Sequence, residues 1–247
     1  MGYDPSYAQY IDHTVLKADT TRETLLRFCN EAKQYGFASV CVNPCNIAFV
    51  SQQLKGSGVK TAAVVGFPLG ANKSAIKAAE AREAIADGAD EIDMVINIGA
   101  LKDGRLDYVR EDIRAVVEAS HPQAIVKAII EESALTPEEI AVAARLVMEA
   151  GADFVKTSTG KIDVAATPEA AVVMCQAIKD YYEKTSRKVG FKAAGGVRTP
   201  EDAALYYTIV ERILGKEWLT TDLFRIGASS AANNLLSAIV GESVKHF

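Results

Sequence analysis

The chain has 247 residues, 49 % of them hydrophobic and 24 % charged, with a formal net charge of −5. This composition suits a soluble globular enzyme with a large core, and its acidic balance supplies no field for nucleic acid or an anionic membrane surface. No run is long and apolar enough to span a bilayer, and the polar opening from Met1 to Tyr10 is unlike a secretory leader, so a cytoplasmic address is expected.

Short apolar runs recur at residues 10–14, 39–42, 61–65, 91–96, 124–130, 154–156, 189–193 and 223–226, and read as strands. Amphipathic stretches with helix signals lie between them. Thr136-Pro137-Glu138-Glu139, Thr167-Pro168-Glu169 and Thr199-Pro200-Glu201-Asp202 each give a capping hydroxyl, a proline at the first helical position and acids in the first turn. Gly36, Gly88 and Gly151 stop the preceding helices. Eight strands alternating with eight helices, with no linker between, predict a single (β/α)8 TIM barrel over residues 1–247. A doubly wound open sheet is the alternative, although it usually ends with fewer units.

A faint repeat runs through the even strands. Gly88-Ala-Asp-Glu-Ile-Asp93 matches Gly151-Ala-Asp-Phe-Val-Lys156, and Gly36-Phe-Ala-Ser-Val-Cys41 shares the offset. Barrel interiors are filled in layers of four side chains from alternate strands. Equal offsets therefore place Cys41, Asp93 and Lys156 in one inward layer near the C-terminal mouth, with Lys192 of the seventh strand in a neighbouring layer.

An inward amine must lose its hydration, so it needs a partner, a neutral state or a chemical task. Holding a lysine neutral at pH 7 costs about 4.6 kcal/mol, a shift that burial and a nearby like charge can supply. Lys192 would be that charge for Lys156, and a neutral Lys156 is a nucleophile toward carbonyls. Asp93 would move protons while the carbinolamine loses water. The plainer alternative makes both lysines ion-pair partners of Asp93. Lys127, on another apolar strand, is expected to support Asp93. Asp12 is expected at the mouth of the first strand, either as a turn or cap residue or bound to a substrate hydroxyl. Cys41 joins the substrate-facing set.

The last strands run into Gly195-Gly196-Val197-Arg198 and Gly227-Ala228-Ser229-Ser230, with Thr159-Gly160-Lys161 after the sixth. Small backbone-exposing loops entering helices, with an arginine and an ammonium nearby, make an anion site, and barrels often hold phosphate after strands seven and eight. The four cysteines and three scattered histidines complete no metal-ligand set, so no metal is expected.

The segments Asp90-Glu-Ile-Asp-Met-Val95, Phe154-Val-Lys-Thr-Ser-Thr-Gly160, Gly190-Phe-Lys-Ala-Ala-Gly-Gly-Val-Arg198 and Phe224-Arg-Ile-Gly-Ala-Ser-Ser230 resemble those of the deoxyribose-phosphate aldolase family. Ile11-Asp-His-Thr-Val-Leu16 and Cys41-Val-Asn-Pro44 fit the same pattern, so the resemblance covers nearly the whole chain. It implies a Schiff base on Lys156, with Asp93 and Lys192 as proton donor and acceptor. The implied reaction is reversible cleavage of 2-deoxy-D-ribose 5-phosphate to D-glyceraldehyde 3-phosphate and acetaldehyde, with no metal or other cofactor. The partners are thus a small phosphorylated sugar and acetaldehyde, and a homodimer is one assembly open to it. Some members end in a tyrosine that helps shuttle a proton. This chain ends in His246-Phe247, leaving that part to His246, to water or to nothing. Rival readings are another Schiff-base barrel of the transaldolase kind and a non-catalytic phosphosugar-binding barrel.

Overall fold

The computed structural model describes residues 5–163, 166–229 and 237. Runs rich in β-branched and small apolar residues form the eight strands β1 Ile11–Val15, β2 Ser39–Val42, β3 Lys60–Val65, β4 Glu91–Val95, β5 Ile125–Ile129, β6 Phe154–Lys156, β7 Gly190–Ala194 and β8 Phe224–Ser229. Every neighbouring pair is parallel, and β8 pairs with β1 to close the barrel. Between strands run α1 Arg22–Tyr35, α2 Ile47–Leu54, α3 Ser74–Ala86, α4 Ile98–Lys102, α5 Leu106–Ser120, α6 Pro137–Glu149, α7 Pro168–Thr185 and α8 Pro200–Leu214. The fold is the expected (β/α)8 barrel, with two helices rather than one joining β4 to β5. The helix expected after β8 lies outside the described residues.

The punctuation read from the sequence has its physical counterpart. Thr136 and Thr199 each close a capping box, with Glu139 and Asp202 respectively, and Thr167 accepts the Ala170 N–H. Gly36 ends α1 at φ 66°, in the left-handed region where a Cβ would crowd the carbonyl. Apolar residues of strands and helices pack between barrel and helix ring, including Phe28, Val126, Met174 and Phe191, all at 0 % exposure. A 3-10 segment, Pro5–Tyr10, leads into β1, and its Tyr10 hydroxyl donates to the Leu219 carbonyl at 3.0 Å while its ring lies 5.2 Å from Phe224.

Register fixes what faces the barrel axis. A shear of eight offsets each strand by about one residue from the last, so alternate strands contribute side chains about two residues apart in register. Following the pairings round the barrel gives three stacked inward layers. The deepest holds Ser39, Glu91, Phe154 and Arg225; the next holds Asp12, Ala62, Lys127 and Lys192. Nearest the C-terminal mouth lie Cys41, Asp93, Lys156 and Gly227. Seven of these twelve side chains are ionisable acids, lysines or arginine, in place of the branched aliphatics that usually fill such a barrel.

Candidate active site

Asp93 is the hub of the interior. Its Oδ2 accepts from Lys156 Nζ at 2.7 Å and from Lys192 Nζ at 2.7 Å, and its Oδ1 from Lys127 Nζ at 3.0 Å. Lys156 and Lys192 are direct register partners on β6 and β7, which explains how two amines reach one oxygen. Below them, Lys192 meets Asp12 Oδ2 at 2.5 Å, and Arg225 bridges Asp12 Oδ1 at 2.7 Å and Glu91 Oε1 at 2.8 Å. Lys127 also contacts Glu91, and Ser39 donates to Asp12 at 2.8 Å. The three layers thus hold four bases, Lys127, Lys156, Lys192 and Arg225, against three acids, Asp12, Glu91 and Asp93. One base is in surplus.

The surroundings select which base gives up its charge. Burial pulls Lys156 below the ordinary lysine range, and the Lys192 ammonium adds to that, against the attraction of Asp93. Burial also works against charge on Lys192, but Asp12 and Asp93 outweigh it and keep Lys192 protonated. Lys127 is held cationic against the same burial by Asp93, Glu91 and Asp12. Burial opposes ionisation of Asp93, yet Lys127, Lys156 and Lys192 together hold it well below the usual carboxylate range. Burial, reinforced by Asp93, pushes the Cys41 thiol up to about 11, so it sits in the top layer as a neutral group. The arrangement is one amine biased toward the free base beside an ammonium and a carboxylate that are both biased toward their charged forms.

Only one of the two site lysines opens outward. Lys156 lines a cavity of about 210 Å³ at the C-terminal end of the barrel, while Lys192 is fully buried beneath it. The outer wall comes from Thr159, Gly160 and Lys161 after β6, Gly195, Gly196 and Arg198 after β7, and Lys17 after β1. Gly195 and Gly196 stand at φ 78° and 81°, a backbone that only glycine adopts readily. The Thr157 hydroxyl locks the exits of β6 and β7 together, donating to the Ala194 carbonyl at 3.0 Å and accepting the Ala194 N–H at 2.9 Å. Lys161 reaches across the mouth to the Leu16 carbonyl at 3.3 Å.

Most of the residues singled out from the sequence converge here, with four corrections. Cys41 is not substrate-facing: it is sealed at 0 % exposure against Ala62 and Val64, away from the cavity lining. Asp12 is not at the mouth but sealed in the second layer at 0 % exposure, with Lys192, Arg225 and Ser39 around its carboxylate and no access for a substrate hydroxyl. Burial alone would raise its pKa, but Lys192, Arg225 and Lys127 hold Asp12 below the carboxylate range. Gly227 belongs to β8 rather than to a loop, and fills the fourth place of the top layer with no side chain. Thr159 lines the cavity, but its N–H and hydroxyl both go to Glu131. Lys127 takes the supporting position expected of it. The backbone of Ser229 pairs with Thr14 at the end of β8. Ser230 and His246 lie outside the described residues. Glu91 and Arg225 were missed, although Glu91 shares the inward face of β4 with Asp93 two residues on.

A family model described as DeoC/LacD family aldolase matches residues 6–230. The chain belongs to that family. This DeoC/LacD aldolase is 45 % identical over 240 residues to a protein of Lysinibacillus sphaericus (strain C3-41) named deoxyribose-phosphate aldolase, covering 97 % of this chain and 99 % of that one. It is 52 % identical over 196 residues to the protein of that name from Geobacillus sp. (strain WCH70), covering 79 % and 85 %. Among solved structures it superposes on the deoxyribose phosphate aldolase of Aeropyrum pernix, described as a unique tetrameric structure. The TM-score is 0.80 at 28 % identity, over 96 % of this chain and 92 % of that one. It also superposes on QR15, described as an aldolase, with a TM-score of 0.79 at 32 % identity, over 95 % and 96 %.

Proposed function

We propose that this DeoC/LacD aldolase is a class I enzyme that reversibly cleaves 2-deoxy-D-ribose 5-phosphate into D-glyceraldehyde 3-phosphate and acetaldehyde. The observation that carries the assignment of roles is the shared oxygen of Asp93. Two amines meet it at equal distance, yet only Lys156 borders the cavity. Lys156 is the nucleophile, kept free first by its burial and then by the Lys192 charge beside it.

In the cleavage direction the Lys156 amine adds to the C1 aldehyde, and the carbinolamine loses water to give a protonated imine. That step needs a proton delivered to the departing hydroxyl, which the Lys192 ammonium supplies, with Asp93 linking the two amines. The iminium draws electrons from the C2–C3 bond while the C3 hydroxyl passes its proton, by way of Asp93, back to the Lys192 amine, which later gives it to the enamine carbon. D-glyceraldehyde 3-phosphate departs, leaving an enamine on Lys156. Protonation of the enamine carbon and addition of water release acetaldehyde and restore the amine. Gly227 and Ala194 line the cavity beside Lys156 with little side-chain bulk.

The outer wall favours a phosphate at the far end of the substrate. Lys17, Lys161 and Arg198 contribute three cationic side chains there against one acid, Asp163. The Gly195–Gly196 backbone lies open at the approach to α8, where an anion gains from the helix terminus. We assign the protein to the cytoplasm on its composition; among the described residues no helix is long and apolar enough to cross a membrane. A homodimer is one assembly open to the chain, and light scattering would detect it.

The deciding experiment is borohydride reduction in the presence of acetaldehyde, followed by peptide mapping. An ethyl group on Lys156 is expected, with activity retained in EDTA. Label on Lys192 or Lys127 would overturn the assignment, and no label at all would leave a binding barrel.

A further inference from the structure

The connection that carries Gly160 and Lys161 is fastened from outside the cavity by two consecutive carboxylates. Glu131 and Glu132 follow β5, and each is only 3 % exposed. Glu131 accepts the Thr159 N–H at 3.0 Å and the Thr159 hydroxyl at 2.5 Å. Thr159 Oγ1 in turn accepts the Lys161 N–H at 3.1 Å. At the other end of the same connection, Glu132 accepts the Thr167 N–H at 2.8 Å and the Thr167 hydroxyl at 3.3 Å.

Two features separate Glu131 from an ordinary loop acid. Its backbone stands at φ 53°, ψ 61°, in the left-handed region that residues with a Cβ seldom occupy. Such a conformation persists only where the surroundings over-determine it, and it gathers at functional sites. Its oxygens are also spent on Thr159 in a way that faces the turn inward. With N–H and hydroxyl both given to Glu131, Thr159 has neither donor left for a ligand, so it works as a link. What the turn then offers the cavity is Gly160 and the Lys161 ammonium. Gly160 is seated against the neighbouring phosphate-loop backbone, since a Cβ built on it would lie 3.5 Å from Gly195 Cα.

We propose that Glu131 is a positioning residue for the substrate's phosphate, holding the Thr159–Lys161 turn through Thr159 so that Lys161 and Gly160 meet the anion. The inference rests on the phosphate site proposed above. A carboxylate close behind an anion site would repel the anion if it faced it; here the two donors of Thr159 stand between.

The test is a comparison of steady-state kinetics on 2-deoxyribose 5-phosphate and on unphosphorylated deoxyribose. Glu131→Gln keeps the length but turns an amide NH2 toward one of the two Thr159 donors. A hydrogen bond to a charged group is worth a factor of roughly ten to a hundred. KM for the phosphorylated sugar should therefore rise about ten-fold or more, with kcat changed little. kcat/KM for the unphosphorylated sugar should stay within about two-fold, and acetaldehyde trapping at Lys156 should keep its rate. Thr159→Val, which removes the hydroxyl at similar volume, should show the same loss of preference, whereas Thr159→Ser should retain it. If Glu131→Gln does not fold, the two Thr159 variants decide by the same criterion. Lys161→Met tests the phosphate site separately and should lower use of the phosphorylated sugar more than of the other. If Lys161→Met does so while Glu131→Gln and Thr159→Val do not, or if those two lower both sugars equally, the positioning role is wrong and the phosphate site stands. If Lys161→Met harms both sugars alike, the phosphate site falls and the role of Glu131 falls with it.

Discussion

Lys192→Met removes the ammonium that shares an oxygen with Lys156 and keeps most of the apolar stem. Both nitrogens lie 2.7 Å from Asp93 Oδ2, so they are at most twice that distance apart. Two unit charges about 5 Å apart interact by about 3 kcal/mol at an effective dielectric of about 20. That corresponds to more than a hundred-fold in the ratio of free to protonated amine. Asp93 would also turn its full attraction on Lys156, which works in the same direction. The expected result is a rise in the Lys156 pKa and, below it, a loss of about a hundred-fold in the free amine. The assay is the rate of acetaldehyde-dependent, borohydride-reducible adduct across about pH 5 to pH 10. The variant's midpoint should move to higher pH, and its plateau should also fall, because the proton that Lys192 gives to the departing hydroxyl is gone. A profile that keeps its midpoint and loses only its plateau would refute the reasoning and make Lys192 a proton donor alone.

Asp93→Asn should still admit substrate but slow dehydration of the carbinolamine, and unaltered turnover would remove Asp93 from the mechanism. Gly227→Ala should both destabilise and obstruct, because its Cβ would lie 2.8 Å from Ala194 Cβ and 3.5 Å from Lys192 Cε. Overpacking of that kind costs about 1–3 kcal/mol, so calorimetry should show Tm falling by several degrees, and an unchanged Tm would show that the barrel yields there. Asp12 and Asp93 are both held below the carboxylate range in the folded chain. As pH falls through about 4 the unfolded chain takes up protons first, so their contribution is complete above that pH and is lost below it. Asp12→Asn should lower Tm near neutrality and make its decline in acid shallower, as followed by thermal melts over pH; an unchanged acid slope would remove Asp12 as a source of it.

Much of this was legible in the sequence because its signals are local. Proline after threonine and glycine after a helix act within a few residues, and they located the helix ends correctly. The inward layer of Cys41, Asp93 and Lys156 was legible because equal offsets from a glycine become equal heights on alternate strands. What failed was non-local. Asp12 stands early in its strand, and only the stagger of the closed barrel shows that this height lies beneath the site. Arg225 carries no signal by itself; its place follows from pairing with Lys192 across β7 and β8. Gly227 looked like a turn because small residues follow it, whereas pairing with β1 and β7 keeps the strand running to Ser229. Glu131 reads as one acid in a polar connection, and its left-handed backbone has no counterpart in the string of letters.

The ionic interior also bears on how this chain can drift over generations. In an oily barrel one aliphatic can replace another nearly anywhere, and each step is tolerated alone. Here every acid touches at least two bases, and removing one partner leaves the others unbalanced, at a cost that reaches about 3–5 kcal/mol where a buried charge loses its compensation. Substitutions at Glu91 and Arg225 are therefore survivable together and damaging one at a time, although neither side chain borders the cavity. Descendants of this sequence should have inherited the three layers as a block, with change admitted in linked pairs and single steps confined to the shell of helices outside.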